Sequence, residues 1–305
     1  MVCGGGAARP LPGVAFGEGF ATALSGIGLN DPLYCDTFWD GSGRLTGFDI
    51  DIEAERTSTT AGWYSEMSVT KLLYDLWDAA IDGVDDASIG FGPIFEVMTG
   101  PQRTTEAFTS AFSFFEALKA QPDARSTFID GLLASESITA AGINRWGDGE
   151  ANDAGGALDV MPLYTDIGVG ETQRICTSSQ FDTRRDGNKL AEARYLRLSV
   201  ESSTPLSIIV DTVNPPSQPA AGFNCRTASM DDPEVHEHSD PDIMVWRNGE
   251  LIVQGQSCEP NREVTSRRTL SAGTYVMDLT EFRYADSRTP STYPERTCFD
   301  VTVSP

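Results

Sequence analysis

The chain has 305 residues, enough for two domains that each bury a substantial core. Its hydrophobic content of 40% and charged content of 22% are ordinary for a folded globular protein and exclude wholesale disorder. A net charge of −23 repels phosphate backbones and anionic lipid headgroups, so we expect neither a nucleic-acid nor a membrane partner.

Helical spacing of apolar residues dominates residues 1–165. The clearest helix is predicted over 63–81, where Val69, Leu72 and Leu76 belong to one apolar stripe and a stop signal follows at 82–83. A short strand is predicted at 48–53, and further helices are predicted at 14–27, 92–99, 104–120, 122–133 and 137–144. We therefore expect 1–165 to form a helical subdomain.

Strand-type alternation and turn residues dominate after about residue 165. Residues 145–192 are rich in Gly, Asp, Asn and Thr, and we interpret 166–192 as a connector. The dipeptide Asn248-Gly249 is a hairpin turn signal. The predicted strands lie at 195–201, 206–212, 243–247, 251–254, 263–270, 274–279 and 298–303. The predicted fold class is thus α+β, with an antiparallel, jelly-roll-like β-sandwich over 193–305.

Six cysteines lie at positions 3, 35, 176, 225, 258 and 298, and none form the C-x-x-C pair of a zinc ribbon. Four of them fall in the strand-rich part, which favours disulfide bonds formed in an oxidising compartment outside the cell. Four cysteines allow three pairings, of which we favour Cys176 with Cys298 and Cys225 with Cys258. The first residues lack the apolar segment of a secretory signal, so we expect that an exported parent carried its signal upstream.

A carboxylate stands on the predicted apolar helix at Glu18, within the string Gly-Glu-Gly-Phe-Ala at 17–21. Burying it would require a cation or a hydrogen-bond partner. The string resembles the glutamate-bearing helix of gluzincin-type zinc metallopeptidases, which follows an H-E-x-x-H helix. The resemblance implies that Glu18 is the third zinc ligand. The H-E-x-x-H helix itself is absent, since the two histidines of the chain are His236 and His238.

A second segment adds to this resemblance. The string Trp-Tyr-Ser-Glu-Met-Ser-Val at 63–69, with Leu-Tyr-Asp-Leu-Trp-Asp at 73–78, resembles secreted bacterial metallopeptidases of the same type. In such enzymes a zinc ion lowers the pKa of its bound water to about 7, and a tyrosine hydroxyl can donate to the oxyanion. The resemblance implies that role for Tyr64. The alternative is an interfacial aromatic ring whose hydroxyl stays hydrated.

Three strings in the C-terminal part carry a separate resemblance. They are Arg-Tyr-Leu-Arg-Leu-Ser-Val at 194–200, Asp-Pro-Asp-Ile-Met-Val-Trp-Arg-Asn-Gly at 240–249 and Leu-Ser-Ala-Gly-Thr-Tyr-Val-Met at 270–277. Together they resemble the bacterial pre-peptidase C-terminal domain. That resemblance implies an accessory sandwich carried by secreted proteases, which has been proposed to aid secretion or substrate binding.

The acidic segment 231–242 contains both histidines. If the segment is extended, His236 and His238 project to one face, and such imidazoles favour zinc. The nearby carboxylates of Asp240 and Asp242 favour calcium instead. The alternative is an acidic surface loop whose histidines have their pKa raised by neighbouring carboxylates.

These features predict a monomeric fragment of a secreted zinc metallopeptidase that hydrolyses peptide bonds in peptide or protein substrates. The resemblance implies that zinc is the cofactor of the parent enzyme, and calcium is a further candidate. Because the histidine pair is missing, we expect weak zinc binding and little hydrolysis. Two alternatives stay open: a non-catalytic secreted binding module, and a hydrolase of unrelated mechanism.

Overall fold

The computed structural model describes residues 11–54, 61–79, 87–152, 160–179, 189–229 and 232–305. The chain divides into two compact units, Met1–Glu150 and Ala151–Pro305. The first unit contains five α-helices and a β-hairpin, and the second contains mostly antiparallel sheets. The fold class is therefore α+β, as the sequence predicts.

The helices of the first unit follow one another with one hairpin inserted after the first. Strands β1 (Leu33–Trp39) and β2 (Leu45–Asp51) pair antiparallel, so the strand predicted at 48–53 is one half of a hairpin. The helices are α1 (Pro12–Leu29), α2 (Glu66–Trp77), α3 (Phe91–Thr99), α4 (Ala111–Lys119) and α5 (Ser126–Ser135). The stop signal predicted at 82–83 lies outside the described residues.

Helices α1 and α2 pack together at Gly19. A Cβ atom there would lie 2.6 Å from the carbonyl oxygen of Glu66 and 2.7 Å from Cβ of Val69, so only glycine fits between the helices. The hydroxyl of Thr70 also donates to the Gly19 carbonyl oxygen at 3.2 Å. This approach positions Glu18, the neighbouring residue, at the N-terminal end of α2.

Local polar residues explain where the helices begin and end. Ser110 caps α4 and forms a reciprocal capping box with Ser113, so α4 begins at Ala111 rather than at the predicted residue 104. Residues Pro101–Thr104 form a short 3-10 turn instead. The helix predicted at 137–144 is wrong, because Ser137 adopts a left-handed conformation (φ 58°) directly after α5 and the segment continues as turns.

The described residues of the second unit form two five-stranded sheets and the short two-stranded pair β3-β4. One has the order β10-β9-β13-β7-β5 and the other β11-β8-β14-β6, with β12 also paired to β8. The strands are β3 (Ala151–Asn152), β4 (Met161–Pro162), β5 (Tyr164–Gly168), β6 (Thr172–Ser178), β7 (Ala193–Val200), β8 (Thr204–Val213), β9 (Pro241–Arg247), β10 (Glu250–Gly255), β11 (Arg262–Val264), β12 (Arg268–Leu270), β13 (Gly273–Glu281) and β14 (Arg296–Ser304).

The inward positions of these strands form one hydrophobic cluster that draws on both sheets. It includes Leu196 and Met277 from the first sheet and Ile208 and Phe299 from the second, all fully or almost fully buried. Alternation along β14 is strict, with every second residue buried. The period-2 pattern seen in the sequence therefore reports the core correctly.

Two strands occupy the segment that the sequence predicts to be a connector. Strand β5 begins at Tyr164 and β6 covers Thr172–Ser178, within or next to 166–192. Their frequent Gly, Asp and Thr residues have a weak local preference for strands, so the sequence did not predict them. Pairing of β5 with β7 and of β6 with β14 stabilises both as strands. The single strand predicted at 263–270 is in fact the two short strands β11 and β12.

The hairpin and disulfide predictions are confirmed. Asn248 and Gly249 both have positive φ (49° and 78°) in the turn between β9 and β10. The disulfide bonds join Cys176 to Cys298 and Cys225 to Cys258. Cys35 is an exposed free thiol, and residue 3 lies outside the described residues. Within the described parts of the chain, no helix combines the length and the apolar character needed to cross a bilayer.

Candidate functional site

Glu18 lies on the solvent-exposed side of α1. It interacts electrostatically with Glu66, the first residue of α2. Partial burial and the charge of Glu18 both raise the pKa of Glu66. The structure thus brings together a predicted zinc ligand and a second carboxylate, which stands in the first turn of α2, where the helix dipole favours negative charge.

Tyr64 precedes α2 by two residues. Its hydroxyl donates to the carbonyl oxygen of Ala61 at 3.2 Å, and its ring packs edge-on against the buried Trp63 with centroids 5.1 Å apart. Ser65 then caps α2 by accepting from the Ser68 amide. The tyrosine is half-buried and anchored to its own turn, so the oxyanion role implied by resemblance remains a prediction.

The three strings that carry the C-terminal resemblance fall on three neighbouring strands. The string at 194–200 forms β7, the string at 240–249 forms β9 and its turn, and the string at 270–277 leads into β13. Strand β13 lies between the other two in the sheet, with Met277 opposite Leu196 on one side and Val245 on the other. The segments that are distant in sequence therefore form one contiguous surface.

A carboxylate cluster lies at the start of β9. Asp240 and Asp242 interact electrostatically with Glu263 on β11 and Glu281 at the end of β13. Burial, together with these like charges, raises the pKa of Asp240 to about 7, although the nearby Arg283 opposes the rise. Burial also raises the pKa of Asp242 to about 6.

The two glutamates of this cluster are held by donors. Oε2 of Glu281 accepts from the hydroxyl of Ser239 at 2.6 Å and that of Tyr293 at 3.0 Å, while Oε1 accepts from the amide of Asp240 at 2.9 Å. Burial nonetheless raises the pKa of Glu281. Glu263 accepts from the Ser257 amide. These neutral donors hold both side chains in place but do not cancel their negative charge.

Arg283 is the buried cation of the cluster. Its guanidinium donates to Oδ2 of Asp240 at 2.9 Å, to Oδ2 of Asp286 at 3.4 Å and to the carbonyl oxygen of His238 at 2.9 Å. The other oxygen of Asp240, Oδ1, is buried and has no hydrogen-bond partner. One arginine therefore leaves part of the buried negative charge without compensation.

The two histidines are buried, and their segment is not extended, so the condition for placing both imidazoles on one face is not met. Residues Pro233–His236 form a 3-10 turn. Nδ1 of His236 lies 2.8 Å from Oδ2 of Asp286, whereas the His238 ring packs edge-on against Phe223. Nε2 of His238 lies 3.8 Å from a carboxylate oxygen of Glu234. The two rings thus have different partners.

In the described part of the chain, no group of three or more His, Cys, Asp or Glu side chains converges to bind one metal ion. Sequence reasoning found Asp240 and Asp242 but missed Glu263, Glu281 and Arg283. One signal was available: Glu281 continues the inward positions of β13 and therefore interrupts an apolar face. Buried acids in phase with core residues usually have a specific partner.

No protein-family model matches the chain, and no curated protein matches it. Among solved structures it is similar to the pre-peptidase C-terminal domain of a collagenase from Bacillus anthracis, with 10% identity and a TM-score of 0.27 over 46% of this chain and 93% of that one. It is also similar to PliG of Aeromonas hydrophila, a periplasmic inhibitor of g-type lysozyme, with 10% identity and a TM-score of 0.22 over 46% and 96% of the two chains.

A third similar structure is a β-glucosidase from Paenibacillus barengoltzii, with 12% identity and a TM-score of 0.18 over 45% of this chain and 11% of that one. The collagenase domain is of the same type that the three C-terminal strings resemble. Similarities at these TM-scores carry no conclusion about the function of this chain.

Proposed function

We propose that this chain is part of a secreted metallopeptidase that acts on peptide or protein substrates. In this proposal the second unit is an accessory β-sandwich of the pre-peptidase C-terminal type. The observation that supports it is the placement of the three strings on the adjacent strands β7, β13 and β9. Two disulfide bonds fit an extracellular location, because such bonds persist in oxidising compartments.

The first unit contributes one zinc ligand in this proposal, the carboxylate of Glu18. Its exposure leaves it accessible to an ion, and Glu66 adds negative charge beside it. A zinc site requires three protein ligands with tetrahedral geometry, usually including imidazoles. The donors near Glu18 among the described residues do not fit a zinc ion by themselves, so this chain alone is expected to bind zinc weakly and to hydrolyse little.

Calorimetric titration of zinc into the wild type, Glu18→Gln and a control variant, Glu96→Gln, tests this part of the proposal. Glu96 is an exposed carboxylate on α3. We expect weak binding in all three proteins. Tight, stoichiometric binding that disappears only in Glu18→Gln would contradict it, because the ligands would then all lie within this chain.

Casein hydrolysis measured with and without a chelator separates the alternatives. Chelator-sensitive hydrolysis by this chain would show a complete metal site and overturn the proposed lack of activity. Chelator-resistant hydrolysis would indicate a hydrolase of unrelated mechanism. No hydrolysis, with retained binding of protein substrates by the second unit, is the expected result.

We further propose that Asp240 and Asp242 bind calcium. The supporting observation is the buried Oδ1 atom of Asp240, which has no hydrogen-bond donor in a cluster with excess negative charge. An oxygen-only donor set of this kind fits a hard cation such as calcium rather than zinc. When bound, the ion would supply the missing positive charge. Asp240 and Asp242 would hold it and water would complete its shell, since no third carboxylate of the described residues converges with them as a ligand.

Thermal unfolding at increasing calcium concentration tests this second proposal. At about a hundred times Kd, calcium stabilises the folded unit by about 2.7 kcal/mol, which raises Tm by roughly 5–10 °C for a unit of this size. Asp240→Asn with Asp242→Asn should abolish the shift, whereas Asp211→Asn, which removes an exposed carboxylate on β8, should retain it. An equal shift in all variants would exclude this site.

A further inference from the structure

The hairpin of the first unit exposes one complete face. Residues directly opposite each other in an antiparallel pair project to the same side. On this side all the residues of β1 and β2 are exposed. Three large apolar side chains lie there, namely Leu33 (49% exposed), Trp39 (71%) and Leu45 (54%). Trp39 pairs with Leu45 next to the turn, so the two form an apolar patch at the tip.

The same face is acidic at its other end. Asp49 and Asp51 project from β2, two residues apart and opposite Cys35 and Leu33 respectively. One cation from outside the hairpin, Lys71, donates to the carbonyl oxygen of Glu53 at 3.0 Å near this end. The only basic residue within 31–53 is Arg44, against the acids Asp31, Asp36, Asp40, Asp49, Asp51 and Glu53. The face therefore carries an acidic end and an apolar end along one strand.

Gly47 leaves the middle of β2 without a side chain on this face. It stands between Leu45 and Asp49 on β2, opposite Thr37. A Cβ atom at Gly47 would collide with the carbonyl oxygen of Asp36. No side chain thus interrupts the strand between its acidic and its apolar end on this face.

The sheet that carries this face has two strands, and no third strand joins it among the described residues. Each strand of such a pair has an outer edge whose amide and carbonyl groups can receive another strand. Two-stranded sheets are marginally stable in water, and a third strand stabilises them. Backbone chemistry therefore favours an extended polypeptide as the occupant.

We propose that the β1–β2 hairpin binds an extended cationic segment of a partner polypeptide, which adds to the sheet as a third strand. On the outer edge of β2, basic residues at alternate positions would face Asp49 and Asp51. Apolar residues further along would contact Leu45 and reach across it to the ring of Trp39 on β1. Charge complementarity selects this occupant. A second copy of the chain would bring its own acidic residues to the interface and be repelled.

Synthetic peptides test the proposal with the protein unchanged. The first is a fluorescent peptide of about eight residues, the length of a typical strand, with lysines at alternate positions in one half and leucines at alternate positions in the other. In the second, glutamates replace the lysines, and in the third, alternate amides are N-methylated and cannot donate. Fluorescence anisotropy should show binding of the first peptide alone, weakening between about 50 mM and about 500 mM salt.

Protein variants locate the site. Trp39→Ala should weaken binding at least about tenfold, as expected for a central aromatic anchor. Asp49→Asn with Asp51→Asn, which conserves side-chain shape, should weaken it about three- to tenfold. The matched control is Phe95→Ala with Glu96→Gln, an exposed aromatic and acid pair on α3 in the same unit, and it should bind like the wild type.

Several results would overturn the proposal. Equal binding of the lysine and glutamate peptides would remove the charge argument, and full binding of the N-methylated peptide would remove strand addition. Unchanged affinity in the hairpin variants would place the peptide elsewhere. Retention of the protein on cellulose through Trp39, without peptide binding, would reassign the face to a polysaccharide. None of these results bears on the zinc or calcium proposals.

Discussion

Replacing Arg283 with methionine tests whether the carboxylate cluster depends on its one buried cation. The guanidinium group is 5% exposed and bridges Asp240 and Asp286. Asp286 keeps other donors in the variant: against the cost of burial, hydrogen bonds from Arg288 and His236 lower its pKa to about 2. Asp240 keeps no comparable partner. The variant therefore leaves one buried carboxylate, that of Asp240, without a cation.

The expected cost follows from this geometry. Breaking a buried ion pair by removing one partner costs about 3–5 kcal/mol, because the remaining charge stays desolvated. The cost should depend on pH. Arg283 lowers the pKa of Asp240, so its loss raises that pKa above about 7 and the folded state holds the proton more tightly. The variant should be least impaired near pH 5, where Asp240 is neutral, and most impaired near pH 8.

Urea denaturation of the full chain, in chelator and without reductant, measures the effect as a change in the free energy of unfolding. The matched control is Arg174→Met, because Arg174 makes a two-pronged ion pair with Asp300 at 2.9 Å on the exposed side of the second sheet. An exposed pair contributes about 0–1 kcal/mol. A cost for Arg283→Met below about 1 kcal/mol, or one that does not change between pH 5 and pH 8, would refute the reasoning.

Three further predictions concern stability. Burial raises the pKa of Asp278 to about 6, so the folded state binds a proton that the unfolded state has released, and stability should fall as pH rises from about 4 to about 6. In Asp278→Asn this fall in the free energy of unfolding should be smaller by about 3 kcal/mol, as measured by urea denaturation at a series of pH values. A variant whose stability changes with pH as steeply as the wild type would contradict the prediction. Gly19→Ala should cost at least about 1–3 kcal/mol through the clash with Val69, measured by thermal unfolding, whereas Gly17→Ala, which meets open space, should be neutral or stabilising. Replacing Cys225 and Cys258 with serine removes their disulfide bond and should lower the free energy of unfolding by about 2–4 kcal/mol, because it frees a 33-residue loop. A loss near zero would show that hydrogen bonds alone hold the loop.

Local signals predicted most of the regular structure. The stripe containing Leu72 predicted α2, and the dipeptide Asn248-Gly249 predicted the hairpin between β9 and β10. The helix predicted from residue 104 begins too early, because the reciprocal bonds between Ser110 and Ser113 form the actual cap of α4. Strands β5 and β6 were missed because their pairing partners, not their composition, make them strands.

The candidate site was predictable only in part, since it depends on strand register. Asp240 stands out in the sequence as an acid just before a strand. Its neighbours do not stand out, because Glu281 and Arg283 come next to Asp240 only when β9 pairs with β13 and Pro241 lies opposite Glu281. The identity of the buried cation, and the surplus of charge around it, are therefore properties of the pairing.

The sequence by itself determined the class of fold, the apolar faces of the main helices and the disulfide candidates, because spacing along a chain encodes which side of an element is buried. The tertiary structure alone decided which polar groups meet. Glu18 lies close to Glu66 because Gly19 allows the two helices to approach. The histidines, two residues apart in sequence, contact different partners because their segment forms a turn and is not extended. Contacts between distant segments arise from packing and register, which no local pattern specifies.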